Sequence, residues 1–352
     1  AMEEVVIVSA VRTAIGGFGG ALKGVPVVEL GALAIREAMK RAGLRPTVSD
    51  ELKALGPDPL KGLGPSELEQ KMDPWPDDLQ PVYADEVIMG NVVSAGQGQN
   101  PGRQAGIRAG MPVETNAITI NKVCASGMKA VALADQSIRA GQAEVVVAGG
   151  MENMSNIPYT LPDGRWGARM FDKSMVDLMV HDGLWEIFYG YHMGVTAENI
   201  AKTYGISREE QDRFALESHA KAARAQADGK FDGELVPLSV RKRVAGKTVH
   251  EQVTEDECVI ACAGTELAHG YRPLFKRDRG TVTPFNACPL SDGAAAVLVM
   301  SAEKADELGL APRAWIRGYG YAGVPPDIMG LGPAYAVPKA LARAGLRLPE
   351  ID

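Results

Sequence analysis

The residue best suited to chemistry is Cys124, because it lies where a predicted strand gives way to a predicted helix. Residues 116–123 are typical of a strand and residues 126–140 of a helix. The unpaired N–H groups and the positive dipole end of a first helical turn stabilise a thiolate. The small residues at 125–127 let a substrate approach the backbone. This placement indicates a nucleophile, although an inert cysteine buried at the end of a strand has the same spacing.

The segments around Cys124 alternate between strand and helix. Short β-branched runs predict buried strands, and apolar residues repeated every three or four positions predict helices. The predicted strands are 5–10, 86–93, 116–123 and 144–150, and the predicted helices are 27–43, 100–110 and 126–140. This alternation indicates an α/β unit.

The predicted α/β unit is discontinuous in the chain. We assign residues 2–153 plus 284–301 to an N-terminal half, because the strand predicted at 294–301 returns after a long interruption. Within it, the proline-rich stretch 46–84 predicts an irregular surface insertion. Residues 154–283 are richer in charge and methionine and predict a separate lobe, inserted between two strands of one sheet.

Residues 310–352 repeat the opening strand–helix unit. A strand is predicted at 313–319 and a helix at 333–346, and both copies reach the sequence Arg-Ala-Gly-Leu-Arg. We interpret this segment as the start of a C-terminal half that is truncated in this chain. Because one strand and one helix cannot bury their apolar faces alone, this segment is expected to pack on the first half or the natural chain continues.

Composition narrows the classes of partner. The 37 basic and 44 acidic side chains give a net charge of −7, so no positive excess exists to neutralise a nucleic-acid backbone. No apolar run reaches the ~20 residues of a transmembrane helix, and no secretory signal is recognised. The four cysteines have neither disulfide nor zinc spacing. We expect a reduced cytoplasmic protein without nucleic-acid, membrane or metal binding.

Several motifs resemble one family. The stretch NKVCASGMKAVALA (121–134) resembles the nucleophile signature of thiolases, which include acetyl-CoA acetyltransferases and 3-ketoacyl-CoA thiolases. Other segments resemble the family in the same order: VIVSAVRTAIGGFGG (6–20), GQGQNPGRQA (96–105), AGGMENMSNIPY (148–159), the stretch 191–222 that begins YHMGVTAENI, and SDGAAAVLVMS (291–301).

The resemblance implies the thiolase fold, an α/β architecture of duplicated βαβαβαββ halves in five layers with an inserted loop lobe that holds coenzyme A. Here the second half is expected to be incomplete. It also implies that Cys124 is acylated by an acyl-CoA and that the carbanion of acetyl-CoA then attacks the acyl group. The product is acetoacetyl-CoA, and the reverse reaction is thiolysis of a 3-ketoacyl-CoA. Coenzyme A is then substrate and product, no cofactor is held permanently, and a homodimer or homotetramer is expected.

The resemblance also implies a set of residues that bind substrate or coenzyme A. His192 and Met193 match a His-Met-Gly stretch on the pantetheine path, although a structural histidine is an open alternative. Met329 resembles a residue beside the acyl pocket, or fills space. Cys288 lies in a pantetheine-contacting loop, at a position where many members have serine. Phe285 replaces a common glycine, and its ring is expected to narrow the tunnel or shift the loop.

The sequence also departs from the family. An Asn-Glu-Ala-Phe segment, a Gly-His-Pro segment and a late Gly-rich cysteine, which supply the partner groups of the nucleophile, are absent from residues 1–352. Cys258 and Cys262 come too early and are interpreted as ordinary thiols. Since groups that act as a unit fail together, we expect this chain alone to be nearly inactive in condensation.

Three other classes of protein compete with this interpretation. A non-catalytic thiolase-fold protein that binds acyl-CoA or assists assembly would suit the insertion and the chain end, but it would not need Cys124 at a helix start. A condensing enzyme of the ketosynthase branch uses the same cysteine chemistry but does not explain the His-Met-Gly stretch. An unrelated cysteine hydrolase accounts for the fewest motifs.

Overall fold

The computed structural model describes residues 3–57, 64–244, 247–260, 268 and 270–352. Its strands are β1 Val5–Thr13, β2 Gly16–Gly17, β3 Leu44–Pro46, β4 Gln80–Val82, β5 Glu86–Gly90, β6 Asn116–Ile120, β7 Val145–Asn153, β8 Tyr159–Thr160, β9 Val176–Asp177, β10 Trp185–Glu186, β11 Tyr191–His192, β12 Leu235–Val236, β13 Leu238–Val244, β14 Lys247–Val253, β15 Ser291–Ser301 and β16 Ala314–Trp315. Its α-helices are α1 Val27–Arg41, α2 Asp50–Leu55, α3 Glu67–Gln70, α4 Pro101–Arg108, α5 Ser126–Arg139, α6 Gly194–Tyr204, α7 Arg208–Ala227, α8 Ala302–Glu307 and α9 Gly332–Ala344.

Two compact units divide the chain. The first comprises Ala1–Asn156, Gly233–Asp256 and Ser291–Ile316, and the second comprises Ile157–Asp232, Glu257–Leu290 and Arg317–Asp352. These limits differ from the predicted domains. Residues 284–290 and 317–352 group with the lobe, and residues 233–256 group with the sheet. The pairing of β12 with β1 explains this grouping.

The first unit is built on one mixed sheet with the order β12-β1-β15-β7-β5-β6. β5 runs parallel to β6 and to β7, whereas β15 runs antiparallel to β1 and to β7. Read along the chain, β1-α1-β5-α4-β6-α5-β7-β15 is a βαβαβαββ half. The predicted return of the chain to the same sheet after a long interruption is confirmed by the pairing of β15 between β1 and β7.

Burial explains why these segments adopt their structures. In β7, the run Val145–Ala148 is fully buried, which is typical of strands covered on both faces. Helix α1 buries one face that includes Leu30, Ile35 and Met39. Its predicted end is confirmed, because Gly43 follows with a φ of 73° that glycine adopts without steric cost.

The proline-rich stretch 46–84 is irregular, as predicted, but the first unit holds it at defined points. It contains the short helices α2 and α3, and β3 pairs with β4 at its two ends. The indole Nε1 of Trp75 donates to the carbonyl of Gly110 at 2.8 Å. The guanidinium of Arg36 lies 4.3 Å from the centroid of the same indole, a cation–π contact.

The second unit contains α6, α7 and α9. Helix α7 begins with the predicted capping box, in which Ser207 accepts from the N–H of Glu210 while Glu210 accepts from the N–H of Ser207. The buried core of the second unit is small and includes Ala215, Ala268 and Phe285.

The strand predicted at 313–319 is wrong in extent, since only Ala314–Trp315 pairs, with β1. Residues beyond it lie against α9 instead. Lys339 and Arg343 of this helix donate to the carbonyls of Tyr321 and Tyr319, at 3.1 and 2.7 Å. Carbonyls satisfied by side chains in this way do not need a neighbouring strand.

In the part of the chain that the structure describes, no helix combines the length and the apolar character needed to cross a membrane. Across those same residues, no group of three or more His, Cys, Asp or Glu side chains is arranged to hold a metal ion. Cys262, interpreted from the sequence as an ordinary thiol, lies outside the described residues.

Candidate active site

The thiol of Cys124 is exposed and lies just before α5, which begins at Ser126. The strand before it, β6, ends at Ile120 and is half-exposed along its length. The expectation of a buried strand that runs up to Cys124 is therefore wrong. Residues 121–125 form a separate turn between strand and helix, and this turn presents the thiol to solvent.

Side chains on both sides of this turn hold its backbone. The N–H of Val123 donates to Oδ1 of Asn121 at 2.8 Å, and Ser126 Oγ donates to the carbonyl of Val123 at 2.6 Å. The N–H of Lys122 donates to Ser126 Oγ at 2.8 Å. Val123 has a φ of 49°, a conformation that β-branched residues rarely adopt. The residue preceding the thiol is thus held in a strained conformation by its neighbours.

Glycines let the start of α5 approach the sheet closely. A Cβ atom at Gly90 in β5 would lie 2.7 Å from the backbone N of Gly127 and from the backbone C of Ser126. A Cβ atom at Gly150 in β7 would lie 3.3 Å from the Cα of Gly127. Distances below 3.0 Å do not occur between real Cβ atoms and backbone, so Gly90 sets the depth at which the helix start rests.

A carboxylate supports the loop beside the turn. Glu152 accepts from the backbone N–H of Val92 at 2.8 Å, from that of Val93 at 3.4 Å and from Asn91 Nδ2 at 3.0 Å. Burial raises the pKa of Glu152, while these three hydrogen bonds oppose the rise. Val92 in turn accepts from Asn121 Nδ2 at 3.0 Å, so the loop and the turn are directly joined.

His192 lies in β11, in the second unit. Its ring stacks on Phe275 with centroids 4.7 Å apart, and its Nδ1 accepts from the N–H of Gly194 at 3.1 Å. Burial lowers the pKa of His192, which favours the neutral ring, and a neutral ring with Nδ1 as acceptor carries its proton on Nε2. Glycine at 194 lets the ring of Phe275 lie against the start of α6, because a Cβ atom there would lie 1.9 Å from that ring.

Two methionines flank α6 in the same unit. Met193 is half-buried at the N-cap of α6. Met329 is half-exposed in a 3₁₀ turn at Pro326–Leu331. The turn is joined to α6, because Asn199 Nδ2 donates to the carbonyl of Asp327 at 3.1 Å.

Phe285 is only 2% exposed and packs against Tyr271 and His219 with ring centroids 5.8 and 5.3 Å away. Its ring therefore lies in the core of the second unit. Cys288, three residues later, is exposed. Cys258, which the sequence indicates is an ordinary thiol, is half-buried.

Buried carboxylates fix the loop that carries Cys288. Glu198 accepts from the backbone N–H groups of Thr281 and Val282 at 2.8 and 2.9 Å. Asn286 Nδ2 donates to Asp212 Oδ1 at 2.9 Å. Both carboxylates are 2% exposed. Glu198 thus binds the loop to α6, and Asp212 binds it to α7.

The structure thus places Cys124 in the first unit and His192, Met193, Phe285, Cys288 and Met329 in the second. Glu152, Asn91, Glu198 and Asp212 were missed by sequence reasoning. For Glu198 a signal existed, because a charged residue interrupts the apolar face of a helix. The hydrogen bonds of Glu152 and Asn91 join segments 60 residues apart and leave no local pattern.

The first unit thus combines βαβαβαββ topology with an exposed thiol at a helix start, a placement suited to a nucleophile. Comparison with known proteins is more specific. A model described as thiolase, N-terminal domain, matches residues 5–54 and 75–303, and one described as thiolase, C-terminal domain, matches residues 310–352. The chain belongs to the thiolase family.

Named relatives agree with this assignment. The chain is 49% identical over 355 residues to an acetyl-CoA acetyltransferase of Cupriavidus necator and 47% identical over 351 residues to a probable acetyl-CoA acyltransferase of Staphylococcus aureus. Both alignments span 100% of this chain and 79% of the relative. A crystal structure of the Bacillus anthracis acetyl-CoA acetyltransferase matches with a TM-score of 0.84 and 39% identity, over 100% of this chain and 79% of that one.

These matches confirm the expected thiolase fold. The N-terminal model leaves residues 55–74 unmatched, and these residues lie inside the predicted stretch 46–84. The segment 310–352 matches the C-terminal domain, as its echo of the opening unit indicates. The expectation that this chain is nearly inactive alone receives no support from these matches.

Proposed function

We propose that this protein is an acetyl-CoA C-acetyltransferase that condenses two acetyl-CoA molecules into acetoacetyl-CoA through S-acetyl-Cys124. The observation that carries the proposal is the exposed Cys124 thiol on a strained turn directly before α5. The names of the related acetyltransferases support acetyl-CoA as the substrate. A protein that only binds acyl-CoA has no need of a thiol in this position.

The reaction takes place in two transfers. The Cys124 thiolate attacks the thioester carbonyl, and the tetrahedral intermediate expels coenzyme A thiolate, which takes up a proton. A second acetyl-CoA then loses an α-proton to a base. Its carbanion attacks the acetyl group on Cys124 and releases the Cys124 thiolate together with acetoacetyl-CoA. Thiolysis of a 3-ketoacyl-CoA is the same sequence in reverse.

In the second unit we assign substrate contacts to His192, Met193, Cys288 and Met329. A neutral His192 with its proton on Nε2 can donate to a carbonyl of pantetheine, and the thioether side chains offer apolar contact. Phe285 acts indirectly, since its buried ring fixes the start of the loop that carries Cys288. Coenzyme A enters and leaves as substrate and product.

We also propose that the protein works in the cytoplasm as a homodimer or homotetramer. β6 ends the described strand order of its sheet, and Ile118 within it is 43% exposed; an edge strand is a surface on which another chain can pair. Light scattering of the purified protein is expected to give twice or four times the chain mass. A monomer at micromolar concentration would contradict this assembly.

Acetylation of the intact protein tests the function. After brief exposure to acetyl-CoA, we expect one acetyl group by mass spectrometry, located at Cys124 by peptide mapping. Cys258→Ser is the matched control, since it removes another described thiol to which no substrate contact is assigned, and it is expected to leave that adduct in place. Cys124→Ser is expected to abolish thioester-linked acetylation. Acetylation of Cys124 without any formation of acetoacetyl-CoA would contradict the condensation step, and no adduct at Cys124 would contradict the nucleophile.

A further inference from the structure

The turn that presents Cys124 holds a conformation that its own sequence disfavours. Val123 has a φ of 49°, and a β-branched residue pays a steric penalty in the left-handed region. Such a conformation persists only where surrounding contacts determine it. Because Val123 immediately precedes Cys124, the contacts that hold Val123 also set the direction of the thiol.

Asn121 and Ser126 both hold this turn, and Asn121 alone also joins it to the loop after β5. Its Oδ1 accepts from the backbone N–H of Val123 at 2.8 Å, and its Nδ2 donates to the carbonyl of Val92 at 3.0 Å. One amide therefore uses both its acceptor and its donor, on two different segments. An ionised aspartate of the same size would keep the acceptor and lose the donor.

Glu152 holds the far side of the same link. Its carboxylate accepts from the backbone N–H groups of Val92 and Val93 and from Asn91 Nδ2. The N–H of Asn91 donates to the carbonyl of Ile120 at 3.1 Å, at the end of β6. A continuous set of hydrogen bonds thus runs from β7, through the loop after β5, to the residue beside the thiol.

We propose that Asn121 and Glu152 are positioning residues for Cys124, with Asn121 fixing the Val123 turn and Glu152 fixing the loop to which Asn121 is bonded. The proposal rests on the proposed nucleophilic role of Cys124. Neither residue touches the reacting atoms. They determine the fraction of time for which the Cys124 thiol has the orientation from which it attacks.

The first test replaces Asn121 with alanine. Val123 then loses its acceptor, and we expect acetylation of Cys124 by acetyl-CoA to slow by roughly ten- to a hundred-fold, the range typical of misplaced reacting groups. The rate at which iodoacetamide alkylates Cys124, measured by peptide mapping, is expected to change as well. The alkylation rate of Cys288 in the same variant is expected to stay constant. The matched control is Asn116→Ala, at the other end of β6, where the side-chain amide donates to half-buried Glu86 in the described contacts. It is expected to react like the natural protein.

A second variant separates positioning from a loss of folding. In Asn121→Asp the ionised carboxylate still accepts from Val123 but faces the carbonyl of Val92 without a proton to donate. When the introduced carboxyl takes up a proton, it regains one donor and one acceptor. Because an ordinary aspartate has a pKa of about 3.9, the ratio of variant to natural acetylation rate is expected to stay low from pH 8 to 6 and to rise as the pH falls from 6 to 4. A residue with only a structural role would leave this ratio flat.

The outcomes distinguish this proposal from the proposed function. Acetylation and alkylation rates of Cys124 in Asn121→Ala that stay within twofold of the natural values would overturn the positioning role. A flat ratio for Asn121→Asp would do the same if the alanine variant does not fold. If instead Cys124→Ser still produces acetoacetyl-CoA at the natural rate, the proposed function fails, whereas the alkylation measurements still report on the turn.

Discussion

The helices α5 and α7 begin in opposite ways. Helix α7 starts with a capping box, in which Ser207 Oγ accepts from the N–H of Glu210 at 3.1 Å and Glu210 Oε2 accepts from the N–H of Ser207 at 2.8 Å. Helix α5 starts at the N-cap Ala125, which makes no side-chain hydrogen bond. Its first turn is held instead by Ser126 from within the helix and by Asn121 from before it.

The difference shows where this protein departs from local stability rules. The capped helix start satisfies its own backbone and presents no reactive group. The uncapped start tolerates a strained Val123 and places an exposed Cys124 beside the first turn. Departures from the rules of local structure are expected first at sites of chemistry. At the start of α5, a capping side chain would occupy the space that a substrate needs.

The largest effect is expected when the nucleophile before the uncapped helix α5 is removed. Cys124→Ser is expected to lower turnover of acetoacetyl-CoA with coenzyme A by roughly 10³-fold or more, because a neutral hydroxyl is a far weaker nucleophile than a thiolate. The measurement is loss of acetoacetyl-CoA absorbance with time. Unfolding by urea is expected to be unchanged. Turnover within tenfold of the natural protein would contradict the role of Cys124 as the nucleophile.

The next effect disturbs the seat of α5 on the sheet. Gly90→Ala is expected to destabilise the protein by about 1–3 kcal/mol, since the added methyl would lie 2.7 Å from the backbone at Ser126 and Gly127. Cys124 acetylation should slow in parallel. Gly24→Ala is the matched control, because its methyl would meet nothing within 4 Å. Equal unfolding midpoints for the two variants would show that the helix start is not tightly seated.

A smaller effect is expected at the capped start. Ser207→Ala removes the acceptor for the N–H of Glu210 and is expected to cost about 1 kcal/mol, measured by chemical denaturation. Ser207→Asp, which restores a capping oxygen, should recover most of that stability. Alkylation of Cys124 is expected to be unaffected by either change, and a slower reaction in Ser207→Ala would mean that the two helix starts are not independent.

The smallest effect concerns the pH dependence contributed by Glu152. Burial raises the pKa of Glu152 in the folded protein above the ordinary value of 4.5. Its stabilising contribution is therefore fully present below pH 4.5 and is lost as the pH rises through the raised folded pKa. In Glu152→Gln this pH-dependent contribution to the free energy of unfolding disappears. The difference in free energy of unfolding between natural protein and variant should thus fall as the pH rises from 4.5, and a difference that grows instead would contradict the burial effect.

Local patterns predicted the elements whose causes are local. The apolar face of α1, its glycine stop and the capping box of α7 each involve residues within a few positions of one another, and all were predicted to within two residues. The return of β15 to the first sheet was predicted too, because a fully apolar strand requires cover on both faces.

Features that depend on contacts between segments far apart in the sequence were not predicted. The strand at 313–319 was predicted too long, because nothing in its own sequence shows that Lys339 and Arg343 satisfy its later carbonyls. The core position of Phe285 was missed as well, since Tyr271 and His219, which cover it, lie on other segments.

The sequence by itself determined the family, the βαβαβαββ order of the first half and the position of Cys124 next to a helix start. These follow from periodicity and from motifs, which are properties of neighbouring residues. Only the tertiary structure decided that the thiol is exposed on a strained turn, and that Asn121 and Glu152 hold this turn. Their hydrogen bonds join residues about 30 and 60 positions apart, and such contacts exist only after the sheet has brought β5, β6 and β7 side by side.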